Sequence, residues 1–165
     1  MDDVDFSSIY ERHAGDVYRF ALYLSGDVHT AEDVTAETFA RAWTVRGRIE
    51  VSTVKAYVMM IARNLCRDVH RRPPHQNLPQ DHDPPDRAAD QERSEDARQA
   101  WRQVVRDLGT LAEVDRSILL MASLDDMNYR AIGEAVGLSE TAVKVRIHRA
   151  RVQLNAIRRD REHRS

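Results

Sequence analysis

Apolar residues in the first part of the chain recur every three or four positions, the spacing of amphipathic helices, and they predict three long helices. The first helix is expected to end at Gly26, since glycine tolerates the left-handed conformation of a helix end. Thr30 is predicted to cap the second helix, and Ser52 the third. The third helix must end before Pro73, because a residue that precedes proline disfavours helical geometry.

The same spacing returns in the second part of the chain and predicts four more helices. The first surrounds Trp101, and the second covers the segment AEVDRSILLMAS. Asn128 is a predicted cap for a short third helix, which Gly137 closes. Ser139 then opens a long helix that continues to Leu154 or beyond. Alternating patterns are scarce, so the sequence predicts an all-α fold.

Proline divides the chain into two parts. All five prolines fall inside PPHQNLPQDHDPP, a stretch with a single aliphatic residue, Leu78. Such a segment buries too little apolar surface to offset the entropy of ordering it, so it is expected to be an extended, flexible linker. The sequence therefore predicts two small helical domains, residues 1–72 and 88–165, joined by a Pro/Asp-rich linker at 73–87.

Charge is distributed unevenly although the formal net charge is only −2. Residues 139–165 hold eight Lys/Arg against three acids, and residues 55–72 hold five against one. Between residues 73 and 97 the balance reverses, with seven acids against two arginines. Two basic segments indicate two contact surfaces for a polyanion, although solvated helix faces explain the charge equally well.

The cysteine content and the hydropathy of the chain indicate the cellular compartment in which the protein is expected. Cys66 is the one cysteine, which excludes an intramolecular disulfide and favours a reducing interior. The chain begins with acidic residues rather than with a basic and then apolar signal segment. No apolar run approaches the eighteen or so residues that span a bilayer. We therefore expect a cytoplasmic protein without membrane insertion.

A metal site or an enzyme is the less favoured interpretation. Cys66 and His70 are four residues apart on a predicted helix, with His75 and His82 further along. A proline-rich linker would not preorganise such ligands. The sequence also lacks a phosphate-binding glycine loop and a paired nucleophile and base. We expect no metal, no cofactor and no catalytic activity.

The last two helices have the pattern of a DNA-binding helix-turn-helix, in which a short helix, a turn with Gly137 and a longer basic helix follow one another. At about 100° per residue, the long helix has one apolar stripe. The stripe consists of Val143, Ile147, Ala150, Leu154 and Ile157. Thr141, Val145 and His148 point away from this stripe, and Lys144 and Arg149 flank them.

The outward side chains suit contacts with duplex DNA. Val145 can meet a thymine methyl, while Thr141, Lys144 and His148 can approach base edges. Phosphates are the expected partners of Arg146, Arg149 and Arg151. The alternative is that the arginines only solvate the flanks of a core helix. The cap, the turn glycine and the preceding helix together favour DNA binding.

Three longer motifs resemble those of one family. YRAIGEAVGLSETAVKVRIHRARVQL resembles region 4 of bacterial sigma factors of the extracytoplasmic-function (ECF) type, in the sigma-70 family. AEDVTAETFARAW, at residues 31–43, is similar to their region 2.2. KAYVMMIARNLCRDVHRR, at residues 55–72, is similar to regions 2.3 and 2.4. The resemblance covers both predicted domains in the family's order.

The resemblance implies a transcription initiation factor with defined partners. Such proteins bind core RNA polymerase and direct it to promoter DNA. Their domain four reads the −35 element as duplex, and domain two reads the −10 element and stabilises its melted strand. An anti-sigma factor commonly holds family members inactive, so such a partner is implied as well.

The resemblance also implies contact residues. The −35 surface would consist of Ser139, Thr141, Lys144, Val145, Arg146, His148, Arg149 and Arg151. The −10 surface would consist of Arg46, Arg48, Tyr57, Arg63, Asn64, Arg67 and Arg71. Polymerase would contact Glu32, Asp33, Glu37, Thr38 and Arg41, with Phe39 and Trp43 supporting them from the core.

The side chains predicted for the −10 surface have the chemistry that contacts with melted DNA require. Asn64 carries a paired donor and acceptor that can read an exposed base edge, and arginines can follow a backbone. Arg63, Arg67 and Arg71 recur every four residues on one helix. Salt bridging, with Asp68 as one partner, is the alternative for Arg63 and Arg67.

Some positions differ from the family pattern. Tyr57 stands where a Trp is frequent, and Met59 and Met60 stand where an aromatic and a basic residue are frequent. We therefore do not assign strand melting to either methionine. Ala36 replaces a frequent Gln. Ala142 and Val145 replace the commoner Thr and Ser, a change that should alter the −35 preference.

A two-domain repressor or activator that binds duplex DNA as a dimer is the main rival interpretation. It would need a ligand pocket or a dimer interface in the first domain. The pattern there is instead an acidic helix followed by a basic one. DNA binding by the chain alone, rather than together with core polymerase, would favour the rival.

Overall fold

The computed structural model describes residues 5–45, 54–70, 95–124 and 126–165, except for the side chain of His70. These residues form seven α-helices and no strand, which confirms the predicted all-α fold. The chain divides into two compact units, Met1–Pro84 and Pro85–Ser165. This division falls inside the predicted linker. The linker itself lies outside the described residues, so its bounds stay a prediction.

Three helices build the first domain: α1 (Phe6–Ser25), α2 (Val28–Thr44) and α3 (Val54–His70). Each helix packs against the other two. The core between them is aliphatic and aromatic, with fully or almost fully buried side chains at Val17, Phe20, Val34, Val58 and Met59. Burial of this apolar stripe from each helix is the main force that holds the bundle together.

Helix ends in the first domain follow the capping rules, with one correction. Gly26 ends α1 with a φ of 72°, as predicted. The N-cap of α2 is Asp27 and not Thr30. The Asp27 carboxylate accepts hydrogen bonds from both the backbone N–H and the hydroxyl of Thr30. Because Asp27 directly follows Gly26 and has a side chain that can cap a helix, α2 begins at Val28, before the predicted cap at Thr30. Ser52 lies outside the described residues.

Aromatic side chains join the start of α1 to the end of α2. Phe6 packs edge-on against Trp43 with ring centroids 4.7 Å apart, and Tyr10 packs edge-on against Phe39 at 4.9 Å. Edge-to-face pairs of this kind add to the stabilisation from burial. Phe39 lies in the core as expected, whereas Trp43 remains 46% exposed.

Four helices build the second domain: α4 (Glu95–Gly109), α5 (Glu113–Ala122), α6 (Tyr129–Val136) and α7 (Glu140–Arg164). Helix α7 contacts each of the other three. The side chains of Asn128 and Ser139 accept hydrogen bonds from the backbone N–H groups of Ala131 and Ala142, which confirms both predicted caps.

The core of this domain fixes the orientation of α7. Ile118, Met121, Ile132, Val143 and Ile147 are fully or almost fully buried. They come from α5, α6 and the predicted stripe of α7, so the stripe faces the core as the helical wheel indicates. The opposite side of α7 is thereby turned to solvent.

Two glycines shape the turn between α6 and α7. Gly137 adopts a φ of 76°, a conformation that favours glycine, as predicted. Gly133 is buried one helical turn earlier, and its carbonyl accepts hydrogen bonds from the N–H groups of both Gly137 and Leu138. A Cβ at Gly133 would overlap the carbonyl oxygen of Leu138. This second requirement is not visible in the sequence pattern, because it depends on the close approach of the Leu138 backbone.

Neither a metal cluster nor a bilayer-spanning helix is found in the part of the chain that the structure describes. The described His, Cys, Asp and Glu side chains form no group of three that could hold an ion, and Cys66 is buried in the first domain. None of the described helices is long and apolar enough to cross a membrane.

Candidate functional site

The outward face of α7 presents the side chains that the helical wheel selects. Thr141, Val145 and His148 are all exposed, and Val145 is 46% accessible. A valine that is 46% exposed between cations leaves apolar surface in contact with water. It can, however, contact a thymine methyl in a major groove.

The cations of α7 differ in whether they already have an acidic partner. Arg146 Nη1 lies 2.9 Å from Asp115 Oδ1 on α5, and Arg161 Nη2 lies 2.5 Å from Asp107 Oδ1 on α4. Lys144 is within 3.8 Å of Glu140 on its own helix. Four further arginines of α7 are exposed and have no ion pair among the described residues, namely Arg149, Arg151, Arg159 and Arg164.

Ser139 already has a structural role. Its hydroxyl oxygen accepts a hydrogen bond of 3.1 Å from the N–H of Ala142 and so caps α7. The residue is exposed beside the outward face. A DNA contact by Ser139 would therefore have to share the hydroxyl with the cap.

Helix α3 exposes only part of the predicted −10 surface. Asn64 is exposed, while Tyr57 and Arg67 are half-buried. Arg63 is only 6% exposed, so its guanidinium lies inside the bundle rather than on the surface. A spacing of four residues placed Arg63 beside Arg67, but spacing alone does not reveal how deeply a side chain is covered.

Three residues of the predicted −10 surface, Arg46, Arg48 and Arg71, lie outside the described residues. The two methionines of α3 that depart from the family pattern can be placed. Met59 is fully buried in the core and Met60 is half-buried. The burial of Met59 agrees with the expectation that it does not carry strand melting.

Helix α2 carries four of the five predicted polymerase contacts on its surface. Glu32, Asp33, Glu37 and Arg41 are exposed. Arg41 Nε donates a 3.0 Å hydrogen bond to Glu37 Oε1 one turn away. Thr38 is fully buried, and its hydroxyl has no hydrogen-bond partner among the described residues. Thr38 therefore faces the core and not the surface of α2.

A groove of about 760 Å³ runs between α2 and the last turns of α3. Its charged wall includes Asp33, Glu37 and Arg41, three of the predicted polymerase contacts. The remaining lining residues are Asp27, His29, Thr30, Val34, Ala36, Ala40, Leu65, Asp68 and Val69. The α3 wall was not predicted, because it depends on how two helices pack rather than on a motif within either one.

The small side chain of Ala36 lines this groove, at the position where the family frequently has Gln. Together with Ala40, it adds short apolar side chains between charged neighbours on the α2 side of the groove. The groove thus combines an apolar floor with a charged rim, which is a surface suited to a protein helix.

Comparison with known proteins identifies both domains. Residues 9–73 match the family described as Sigma-70 region 2, and residues 102–154 match Sigma-70, region 4. The ECF RNA polymerase sigma factor SigE of Mycolicibacterium smegmatis is 30% identical over 154 residues. That alignment covers 90% of this chain but only 60% of SigE.

A second relative matches over nearly its whole length. The ECF RNA polymerase sigma factor SigM of Bacillus subtilis is 29% identical over 154 residues, which is 90% of this chain and 92% of SigM. Both domains are therefore found in the same order in a protein of similar size.

Two solved structures share the fold. The sigma factor RpoE of Bartonella quintana, in complex with the anti-sigma factor NepR, has a TM-score of 0.73 at 22% identity over 94% of this chain and 97% of that one. CnrH, in complex with the cytosolic domain of CnrY, has a TM-score of 0.71 at 24% identity over 92% of this chain and 86% of that one. The two matched regions, their order and these relatives show that the chain belongs to the extracytoplasmic-function group of the sigma-70 family, whose members are promoter-specificity factors of RNA polymerase.

Proposed function

We propose that the chain binds core RNA polymerase through its first domain and directs the enzyme to promoters, reading −35 duplex with the second domain and melted −10 DNA with the first. One observation carries this proposal: the matched regions 2 and 4 lie in two separate compact units. Two compact units are what a factor needs to contact two promoter elements at once. The proposed role is one of binding, in the cytoplasm, without catalysis by the chain itself.

The groove along α2 is the proposed polymerase surface. Its apolar floor and its rim of Asp33, Glu37 and Arg41 suit an amphipathic helix that carries both cations and acids. Thr38 is excluded from direct contact by its burial, and we assign it to packing beneath this surface.

The exposed face of α7 is the proposed −35 surface. Thr141, Lys144, Val145 and His148 would meet base edges, and Arg149 and Arg151 would meet phosphates. The two arginines are exposed and lack an ion pair among the described residues, so their charges are available to a polyanion.

The exposed part of α3 is the proposed −10 surface. Asn64 has the amide group needed to read an unpaired base edge. Tyr57 precedes it and Arg67 follows it on α3, and both side chains are half-buried. Arg63 is assigned a supporting role within the bundle, since a guanidinium that is 6% exposed would have to move before it could meet DNA.

Separate defects in the two domains test the proposal. Glu37→Arg should abolish co-elution with core polymerase on gel filtration, because it reverses a charge on the rim of the groove. Glu11→Arg is the matched control, since Glu11 is also an exposed glutamate but does not line the groove. The control should co-elute like the wild type. Equal loss in both variants would contradict the assigned surface.

The second half of this test concerns promoter DNA. The double variant Lys144→Ala, His148→Ala should still co-elute with core polymerase but should fail to direct it to a promoter that the wild type uses. A variant in α7 that also loses polymerase would show that the two binding functions are not divided between the domains as proposed.

We further propose that a protein inhibitor of the anti-sigma class holds the chain inactive. The solved relative RpoE is bound to such a factor. The test is to assay candidate inhibitors for a protein that forms a purified complex with the chain and also prevents its binding to core polymerase. Binding that leaves holoenzyme assembly unchanged would argue against an inhibitory role.

A further inference from the structure

Asp115 and Arg146 form an ion pair between α5 and the helix that faces DNA. Arg146 Nη1 donates a hydrogen bond of 2.9 Å to Asp115 Oδ1. The carboxylate side chain is 18% exposed, whereas the guanidinium side chain is 38% exposed. The acid is therefore largely covered, while its partner remains within reach of a ligand from solvent.

Arg146 occupies the same flank of α7 as Arg149, which is three residues further along. At about 100° per residue, Arg149 lies about 40° from Val145 around the helix, and Arg146 lies about 100° from it on the same side. A phosphate strand that follows this flank would meet both guanidinium groups. Only the Arg149 charge has no acidic partner among the described residues.

We propose that Asp115 keeps Arg146 from contacting the DNA backbone and thereby weakens the electrostatic attraction between the second domain and duplex DNA. This inference rests on the proposed −35 function. Because a carboxylate and a phosphate compete for the same guanidinium, the pair removes one cation from the set that can neutralise phosphates. The consequence is weak binding of the free chain to DNA, so that polymerase must supply the rest of the affinity.

The opposite arrangement makes an opposite prediction. If Asp115 instead oriented Arg146 for a phosphate contact, removal of the carboxylate would weaken DNA binding and reduce its dependence on salt. The two arrangements therefore differ in the sign of a measurable quantity, which is the change in the slope of log K against log salt concentration.

The test uses the full-length chain and a fluorescent duplex of mixed sequence, with binding followed by anisotropy from about 50 to about 200 mM salt. Asp115→Asn should bind more tightly at the low end of this range. Its salt slope should be steeper by about 0.9, the value expected for one added phosphate contact. Over this salt range the added slope corresponds to an about three- to fourfold greater loss of affinity.

Asp107→Asn is the matched control. Asp107 also pairs with an arginine of α7, and its side chain is 21% exposed, similar to that of Asp115. Its partner Arg161 lies about 33 Å along the helix from Ser139, far from the face that reads bases. Asp107→Asn should leave the slope unchanged. An equal increase in both variants would indicate a general effect of net charge and overturn the proposal.

A second variant, Asp115→Ser, keeps the test decisive if Asp115→Asn folds poorly, which circular dichroism would reveal, and it should steepen the slope to the same extent. In the double variant Asp115→Asn, Arg146→Gln the slope should be shallower than in Asp115→Asn by about 0.9, because the released guanidinium is absent. A double variant with the slope of Asp115→Asn, or weaker binding by a folded Asp115→Asn, overturns the proposal. Neither outcome bears on polymerase binding, so failure here is distinguishable from failure of the proposed function.

Discussion

Asp16 joins α1 to α3 through a buried lysine. Its carboxylate accepts a hydrogen bond from Lys55, which is only 7% exposed, and a second one of 2.8 Å from the more exposed Arg19. Burial by itself would raise the pKa of Asp16. The hydrogen bonds and charges of Lys55 and Arg19 outweigh burial and hold this pKa below its ordinary value of 3.8. The carboxylate thus stabilises the folded domain in its charged form.

Asp16→Asn should lower the free energy of unfolding of the first domain by about 1–3 kcal/mol, because a buried ammonium loses its charged partner. Urea unfolding followed by tryptophan fluorescence measures this in a Trp101→Phe background, which leaves Trp43 as the one tryptophan. Arg19→Gln is the control and should cost less than about 1 kcal/mol, since Arg19 is exposed. Equal costs would show that Lys55 needs no carboxylate.

The same pair predicts a dependence on pH. Because the folded-state pKa is below the unfolded-state value, ionised Asp16 stabilises the fold above that unfolded-state value. This contribution is lost as the pH falls from the ordinary pKa of 3.8 through the folded-state pKa. The stability difference between the wild type and Asp16→Asn should be constant near neutral pH and should shrink in acid. A difference that grows in acid would contradict the assignment.

Among the helices, the turn between α6 and α7 is the element that positions the proposed −35 surface. Gly137 supplies the positive φ, and Gly133 allows the backbone of Leu138 to come close. These two requirements set the direction in which α7 leaves the turn. The cap at Ser139 and the buried Val143 then hold the helix in place.

Gly133→Ala should destabilise the second domain by about 1–3 kcal/mol or more, because its methyl group would overlap a backbone carbonyl that cannot easily move. Thermal unfolding followed by circular dichroism measures the loss. Gly109→Ala is the control, since nothing lies within 4 Å of the position that its methyl group would take, and it should change stability by less than about 1 kcal/mol. A tolerated Gly133→Ala would mean that the turn can relax.

The helices and most of their caps could be predicted from the sequence, because capping and amphipathic spacing act within a few residues. Asn128, Gly137 and Ser139 were predicted correctly for this reason. The burial of Arg63 and Thr38 could not be predicted, since both depend on the depth to which neighbouring helices cover a side chain. The partner of Arg146 was missed likewise, because Asp115 is distant in the sequence.

For the whole molecule, the two units explain how a chain with a net charge of −2 can act on DNA. Cations are concentrated on α7 and at residues 55–72, and acids are concentrated between residues 73 and 97. Neither DNA surface needs to hold DNA unaided if polymerase supplies further contacts. The motifs predict from the sequence that each domain carries one DNA surface, and this stays a prediction, whereas the groove on α2 could be recognised only from the packed structure.

Neutralising the acids of the predicted linker, together with Asp90 just after it, offers a further test. The variant Asp81→Asn, Asp83→Asn, Asp86→Asn, Asp90→Asn should change either transcription or the affinity of the free chain for DNA. The reason is that an acidic segment between two basic surfaces can repel DNA or follow a basic channel of polymerase. Unchanged transcription together with unchanged DNA affinity would assign the linker no electrostatic role.

Promoter specificity of core RNA polymerase is the property that the chain is expected to confer. The decisive measurement is run-off transcription from a library of promoter sequences, with core polymerase in the presence and absence of the chain. Transcripts are expected only in the presence of the chain, from templates that share both a −35 and a −10 sequence. Absence of chain-dependent transcription from every template, with the chain folded and bound to polymerase, would contradict this expectation.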